Sequence, residues 1–195
     1  MRARLARRAL LVGASSAWLL PWSAVGAADN LNISGARGSI DFAIGDSKVF
    51  RTTGSFKDWQ GSLRVDDLDV PKSVVQVTVH TKSVHMVDLD QTEMLKGAEF
   101  FDVDRFPEMT FVSTAVERTG DTTLKVTGDV TLRGITRPMV LAVSVTDRKA
   151  DAPAGTRYAR FRAQGSIKRS QFGMTKYVEV IGDTVDITIR AEAWR

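Results

Sequence analysis

Two histidines, His80 and His85, stand in the stretch VHTKSVHMVDLD with Asp88, Asp90 and Glu93 close behind, and these are donor types that bind a divalent metal. Their spacing argues against a shared site. His80 falls on the polar side of an alternating run, and His85 follows at an odd interval, which sends the two rings to opposite faces of a continuing strand. Two acidic groups, Asp66 with Asp67 and Asp69, and Glu99 with Asp102 and Asp104, would suit two-carboxylate hydrolysis. The first lies in RVDDLDVPKS beside Pro71, where acids punctuate a turn. The second lies among the phenylalanines of KGAEFFDVDRFPEMTF. There is no G-x-S-x-G and no cysteine, and SGARGS lacks the lysine of a phosphate-binding loop. The catalytic inventory is nearly empty, so no catalytic residue, metal or cofactor is expected.

The elements that would position any site are strands. From about residue 38 the chain falls into short runs alternating at period two, separated by turns rich in Gly, Asp, Asn or Pro. SIDFAI puts Ile40, Phe42 and Ile44 on one face, and WQGSLRV does the same with Trp59, Gly61, Leu63 and Val65. SVVQVTVHTKSV is read as one strand, with Val75, Val77, Val79 and Thr81 opposite Gln76, Thr78, His80 and Lys82. TLKVTGDVTLR, MVLAVSV, RYARFRAQGSI and TVDITIRAEAW repeat the pattern. Eight or nine strands with one wet face each predict an antiparallel sheet that closes on itself or packs as a sandwich. The one helical candidate of any length is LDQTEMLKGAEFF, with Asp90 as its cap and Met94, Leu95 and Ala98 on it. A second short turn is expected at RSQFGM, and the longest linker is RKADAPAGT.

The first residues read as a secretory signal peptide, with the basic MRARLARRAL followed by an apolar stretch that ends in small residues and is cleaved after Ala27 or Ala28. Ser15, Ser16, Pro21 and Ser23 interrupt that stretch, which argues against a membrane span. Arg7 and Arg8 form a thin version of a twin-arginine signal, although adjacent arginines also arise in any basic leader. The expected organisation is therefore a leader over 1–28 and one domain over 29–195, located in the periplasm. Four of the 27 basic residues belong to the leader, which leaves 23 against 23 acidic ones. A near-neutral domain gives no reason to expect nucleic acid as a partner. With no cysteine in the chain, the core must hold without disulfides, and a domain of about 165 residues can bury close to 70% of its unfolded surface.

Three segments, LKGAEFFDVDRFPEMTFVSTAV, VTGDVTLRGITRPMVL and IKRSQFGM, resemble in sequence and order the YceI-like proteins, a family of periplasmic lipocalin-like barrels associated with polyisoprenoids and quinone-type lipids. The likeness runs from about Ser39 to Glu192. It implies an all-β fold, a lipocalin-like antiparallel eight-stranded β-barrel with one or two short helices. It also implies a long-chain isoprenoid lipid as partner and cargo, with a homodimer and a transient membrane partner compatible with that role. The chain departs from the family near its start, where ARGSI and GDSKVF stand at places that commonly carry histidine, and DQTEMLKGAEFFDV lacks an Arg-Asp pair and a histidine.

On this reading Phe42, Leu63, Val77, Phe101, Phe106, Met109, Phe111, Phe161, Phe172 and Met174 line the cavity. Phe100, Phe101 and Phe106 turn in toward the barrel mouth, Pro107 starts the next strand, and Gly173 permits the turn between Phe172 and Met174. Two other readings stay open. One is a filled barrel that serves as an interaction or stress-protection module. The other is an enzyme that acts on a lipid head group through His80, His85 or the acids near Asp102.

Overall fold

A computed structural model describes residues 29–45, 51–66, 69–149 and 158–195. The expected leader, Phe50, Asp67 and most of the RKADAPAGT linker lie outside these residues. The strands in chain order are β1 (Asp29–Ser34), β2 (Gly38–Ile44), β3 (Thr52–Phe56), β4 (Trp59–Val65), β5 (Val74–His80) and β6 (Val84–Met86), then β7 (Glu108–Arg118), β8 (Thr123–Leu132), β9 (Ile135–Lys149), β10 (Tyr158–Lys168) and β11 (Thr184–Trp194). Helix α1 (Leu89–Lys96) follows β6, and α2 (Val178–Ile181) precedes β11.

Eight of these strands close an antiparallel barrel in the order β1-β4-β5-β7-β8-β9-β10-β11, with β11 returning to β1 at the pair Asn32 and Trp194. The lipocalin-like expectation is met. Strands β2, β3 and β6 extend the wall at one end, with β2 on β11, β3 on β2 and β6 on β3. They continue β1, β4 and β5 past three kinks, at Gly35–Arg37, at Lys57 with Asp58, and at Thr81–Ser83.

The kinks lie side by side and bond to one another. Lys57 N donates to the Ser83 carbonyl at 3.2 Å, His80 N to the Asp58 carbonyl at 3.0 Å, and Thr81 N to the Pro107 carbonyl at 2.9 Å. Thr81 has no exposed surface, and its Oγ1 donates to the Phe106 carbonyl at 2.7 Å. SVVQVTVHTKSV is therefore two strands, because Thr81 gives the backbone a side-chain partner in place of the ladder. At Gly35 a Cβ would fall 2.5 Å from the Lys57 carbonyl oxygen, so only glycine lets the first kink sit against the second. Period two does not register such corners, nor does it find β1, whose DNLNIS is rich in residues more typical of turns.

Helix α1 is capped by Asp88, not Asp90: Asp88 Oδ1 accepts from Gln91 N at 3.1 Å, and Asp90 lies within the first turn. Ala98 falls beyond the helix, and Met94 is 44% exposed. The buried residue of α1 is Thr92, whose Oγ1 accepts from Met86 N at 3.0 Å and donates to the Asp88 carbonyl at 2.9 Å, pinning the helix to β6. The segment after α1 is held from the opposite wall by Arg133, in the β8–β9 hairpin, whose Nη1 donates to the carbonyls of Ala98 and Phe100. Arg133 and Gly134 both have positive φ, the geometry of a two-residue hairpin turn.

Two bulges, between Ser113 and Ala115 in β7 and opposite Arg160 and Phe161 in the β9–β10 pairing, shift the inward face along the wall. In β7 this keeps both Phe111 and Val116 inside. Inward glycines make room for rings on neighbouring strands. A Cβ on Gly128 would lie 2.5 Å from Phe111 Cζ, and one on Gly54 2.3 Å from Phe42 Cζ. Gly128→Ala is therefore expected to destabilise the barrel by about 1–3 kcal/mol. Urea unfolding will check this, and adding Phe111→Leu to the same chain should recover part of the loss.

Candidate functional site

Eight strands enclose an interior that side chains can fill completely or leave wide enough for one ligand. Here much of the inner face is Val, Ile and Ala, and two adjoining spaces remain. The wider chamber, about 490 Å³, runs through the barrel body. The narrower, about 250 Å³, lies past the kinks beneath α1 and α2. A water molecule takes up about 30 Å³ of liquid and ligand pockets run from about 300 Å³ upward, so the wide chamber is of ligand size. Ile40, Met109, Leu132, Ile167 and Ile187 border both chambers, one residue from each of β2, β7, β8, β10 and β11.

Leu63, Val77, Phe111 and Phe161 line the wide chamber, Phe42, Phe101 and Met174 line the narrow one, and Met109 faces both. Phe101 sets its ring edge-on to Phe56 at 5.4 Å, and Phe56 in turn meets Phe42 at 5.6 Å. Phe106 and Phe172 line neither space. A turn with Asp102 at positive φ, whose carbonyl accepts from Phe106 N at 2.8 Å, directs Phe106 away from the interior. Its ring lies between the guanidinium groups of Arg105 and Arg133, at 5.0 and 5.9 Å, where cation–π attraction holds it. Phe172 ends the short turn Arg169–Phe172 with no exposed surface and belongs to the solid core, and Gly173 takes the left-handed conformation expected of it.

The polar candidates do not converge. His80 is on the outside, its Nδ1 2.8 Å from Asp58 Oδ2 and its Nε2 3.4 Å from Glu108 Oε1, while His85 is exposed on β6. Asp66 Oδ1 accepts from Asp69 N, and Asp69 pairs with Lys72 at 2.8 Å, which is turn chemistry. Glu99 pairs with Lys176. Among the described residues no group of three or more His, Cys, Asp or Glu could hold a metal. Charged residues do border the wide chamber at one end, among them Arg64, Asp121, Asp147 and Lys149.

One polar residue in the wall escaped the sequence reading. Arg169, in IKRSQFGM, is 3% exposed and lines the narrow chamber. Burial pulls its pKa down from the usual guanidinium value, against the opposing charge of Asp183. The available signal was a cation set between Ile167 and Phe172, in a motif otherwise read for its apolar residues.

A family model, the YceI-like domain, matches residues 31–193, from the first strand of the barrel to the last. The chain belongs to the YceI-like family. Relatives named Protein YceI from Salmonella newport (strain SL254) and Salmonella arizonae are each 33% identical over 170 residues, which is 87% of this chain and 88% of theirs. BcnA of Burkholderia cenocepacia superposes with a TM-score of 0.72 at 24% identity, over 82% of this chain and 98% of that one. The Campylobacter jejuni YCEI protein gives 0.68 at 24%, over 78% and 90%. A polyisoprenoid binding domain from Saccharophagus degradans gives 0.61 at 13%, over 85% and 98%. These structures share the barrel with the present YceI-like chain. Among the described residues no helix is long and apolar enough to cross a membrane.

The hydrogen bond to Asp58, more than any other contact, raises the pKa of His80 above its ordinary 6.5, with burial opposing. Imidazole NMR resonances of His80 should titrate above that value and move back toward it in Asp58→Asn. Because the folded pKa is the raised one, the pair's contribution to stability is fully present below 6.5 and is lost as pH rises through the folded value. Asp58→Asn should accordingly lower stability in acid and have no effect well above neutrality.

Proposed function

We propose that the protein is a periplasmic carrier that sequesters a polyisoprenoid or quinone-type lipid along the two chambers, and that residues 1–28 are the leader that exports it. The observation that carries this reading is the apolar interior of about 490 Å³, with a further space of about 250 Å³ adjoining it. An interior built as a mere core would be closed, because protein cores contain few voids larger than a water molecule. The printed description of the Saccharophagus neighbour as a polyisoprenoid binding domain supports the same class of ligand.

Burial supplies the affinity. At roughly 0.8 kcal/mol per CH₂, three isoprene units give about 10 kcal/mol gross, enough for micromolar binding after ordering costs. A chain of such units can follow the barrel axis, while the charged residues around the outer end of the wide chamber face water. No chemical step is needed, and the scattered histidines and acids provide none that the geometry brings together.

Native mass spectrometry of the protein taken from its own periplasm, followed by solvent extraction, is expected to show a stoichiometric isoprenoid or quinone adduct; a bare mass with an empty extract would favour the filled-barrel reading. Val77, paired with Gly61 on one side and Phe111 on the other, is a wall position of the wide chamber. Val77→Trp should retain the barrel's circular dichroism and lose most of the bound lipid.

A further inference from the structure

Of the residues that line the narrow chamber, Gln91, Met94 and Tyr177 are also exposed, the last at 48%. A side chain that faces both an interior space and water marks a thin part of the wall. Here that part lies between α1 and the segment around α2, and its two sides are built differently. The α1 side is fixed. Thr92 ties the helix to Met86, Phe100 and Phe101 are buried, and Arg133 holds the carbonyls of Ala98 and Phe100. The α2 side is held more lightly, for its one-turn helix contains no buried residue and Val180 is 80% exposed. Arg169 anchors it at the base: Nη1 donates to the Lys176 carbonyl at 2.7 Å and Nε to the Gly182 carbonyl at 3.0 Å. One guanidinium thereby draws together the two ends of the loop 177–181.

Both ends of that loop are turning points, with φ of 59° at Tyr177 and 91° at Gly182. Glycine takes this conformation freely, whereas for tyrosine it is strained and persists only where neighbours enforce it. The enforcing neighbour is Lys176. Its ammonium lies 5.3 Å from the centre of the Tyr177 ring and also pairs with Glu99 on the α1 side. Lys176 thus holds the ring and joins the two sides of the gap, but it does so at partly exposed positions, where ion pairs and cation–π contacts are weak. A strained ring under a weak latch, on a loop clamped only at its base, is a part built to move.

We propose that the loop 177–181 is a flap, with Tyr177 and Ile181 as its inner face, and that cargo enters and leaves the narrow chamber between this flap and α1. The inference rests on the carrier reading and adds the route to it. The threshold favours this side: Met94, Leu95, Tyr177 and Ile181 offer apolar surface to a hydrocarbon, whereas Arg64, Asp121, Asp147 and Lys149 border the outer end of the wide chamber. Stopped-flow fluorescence with the farnesyl ester of 2-aminobenzoic acid tests the route, entry being read on mixing and release on chasing with farnesol. Tyr177→Gly removes the ring and suits the positive φ, so the variant should fold. Lys176→Met removes the latch and keeps the carbonyl bond to Arg169. Each is expected to speed entry and release by the same factor, about three- to tenfold, with the equilibrium affinity unchanged. A side chain that is only wall would give faster release with unchanged entry and hence weaker binding, and that result would overturn the flap. Wild-type rates in both variants would overturn it too, with the probe still bound and the carrier reading intact. A wild-type protein that binds no probe would overturn the carrier reading, and the flap with it.

Discussion

Everything in this molecule follows from closing eight antiparallel strands around side chains too small to fill the enclosed volume. Ring closure removes every sheet edge within the barrel, and the strand number sets a diameter that the sequence then has to fill. Where large inward residues do occur, glycines on adjacent strands yield space to them, as Gly128 does for Phe111 and Gly54 for Phe42. Elsewhere Val126, Val143, Ala159 and Ala163 leave the middle empty. The barrel is stable through its ladder and its packed layer near the wall, and the unfilled centre is available to something else.

The kinked corner decides the shape of that centre. Three strands bend together, Thr81 locks the bend to the chain entering β7, and the wall continues at a new angle as β2, β3 and β6. Beyond the corner lies the second space, which shares Ile40, Met109, Leu132, Ile167 and Ile187 with the first. With it, the two ends of the interior differ: one opens among charged side chains, and the other is roofed by helices and contains a buried guanidinium. An asymmetric interior suits an asymmetric ligand.

How much of this the sequence discloses depends on the range of the interactions. Alternation in TLKVTGDVTLR or TVDITIRAEAW reports which residues share a face, and those faces do point inward, because burial on one side of a strand is a local pattern. The kinks and the outward turn of Phe106 were not visible, since each is decided by a distant partner: Thr81 needs the carbonyl of Phe106, and Phe106 needs Arg133. For the same reason phenylalanines alone were a poor guide to the lining. Phe172 is as apolar as Phe101, yet it packs solid while Phe101 borders space. Arg169 was hidden by its type, because an arginine in a strand-to-turn motif is ordinarily solvated.

The seam of the barrel joins β1 to β11 through Asn32 and Trp194, residues near opposite ends of the described chain. No shorter N-terminal portion can therefore complete the ring, since its last wall does not yet exist. For a chain that emerges N-terminus first, ring closure awaits β11, and the long-range contact that completes it makes closure slow. Until then both interior chambers are an open apolar trough. The moment at which the chain becomes a container is the moment at which β11 arrives.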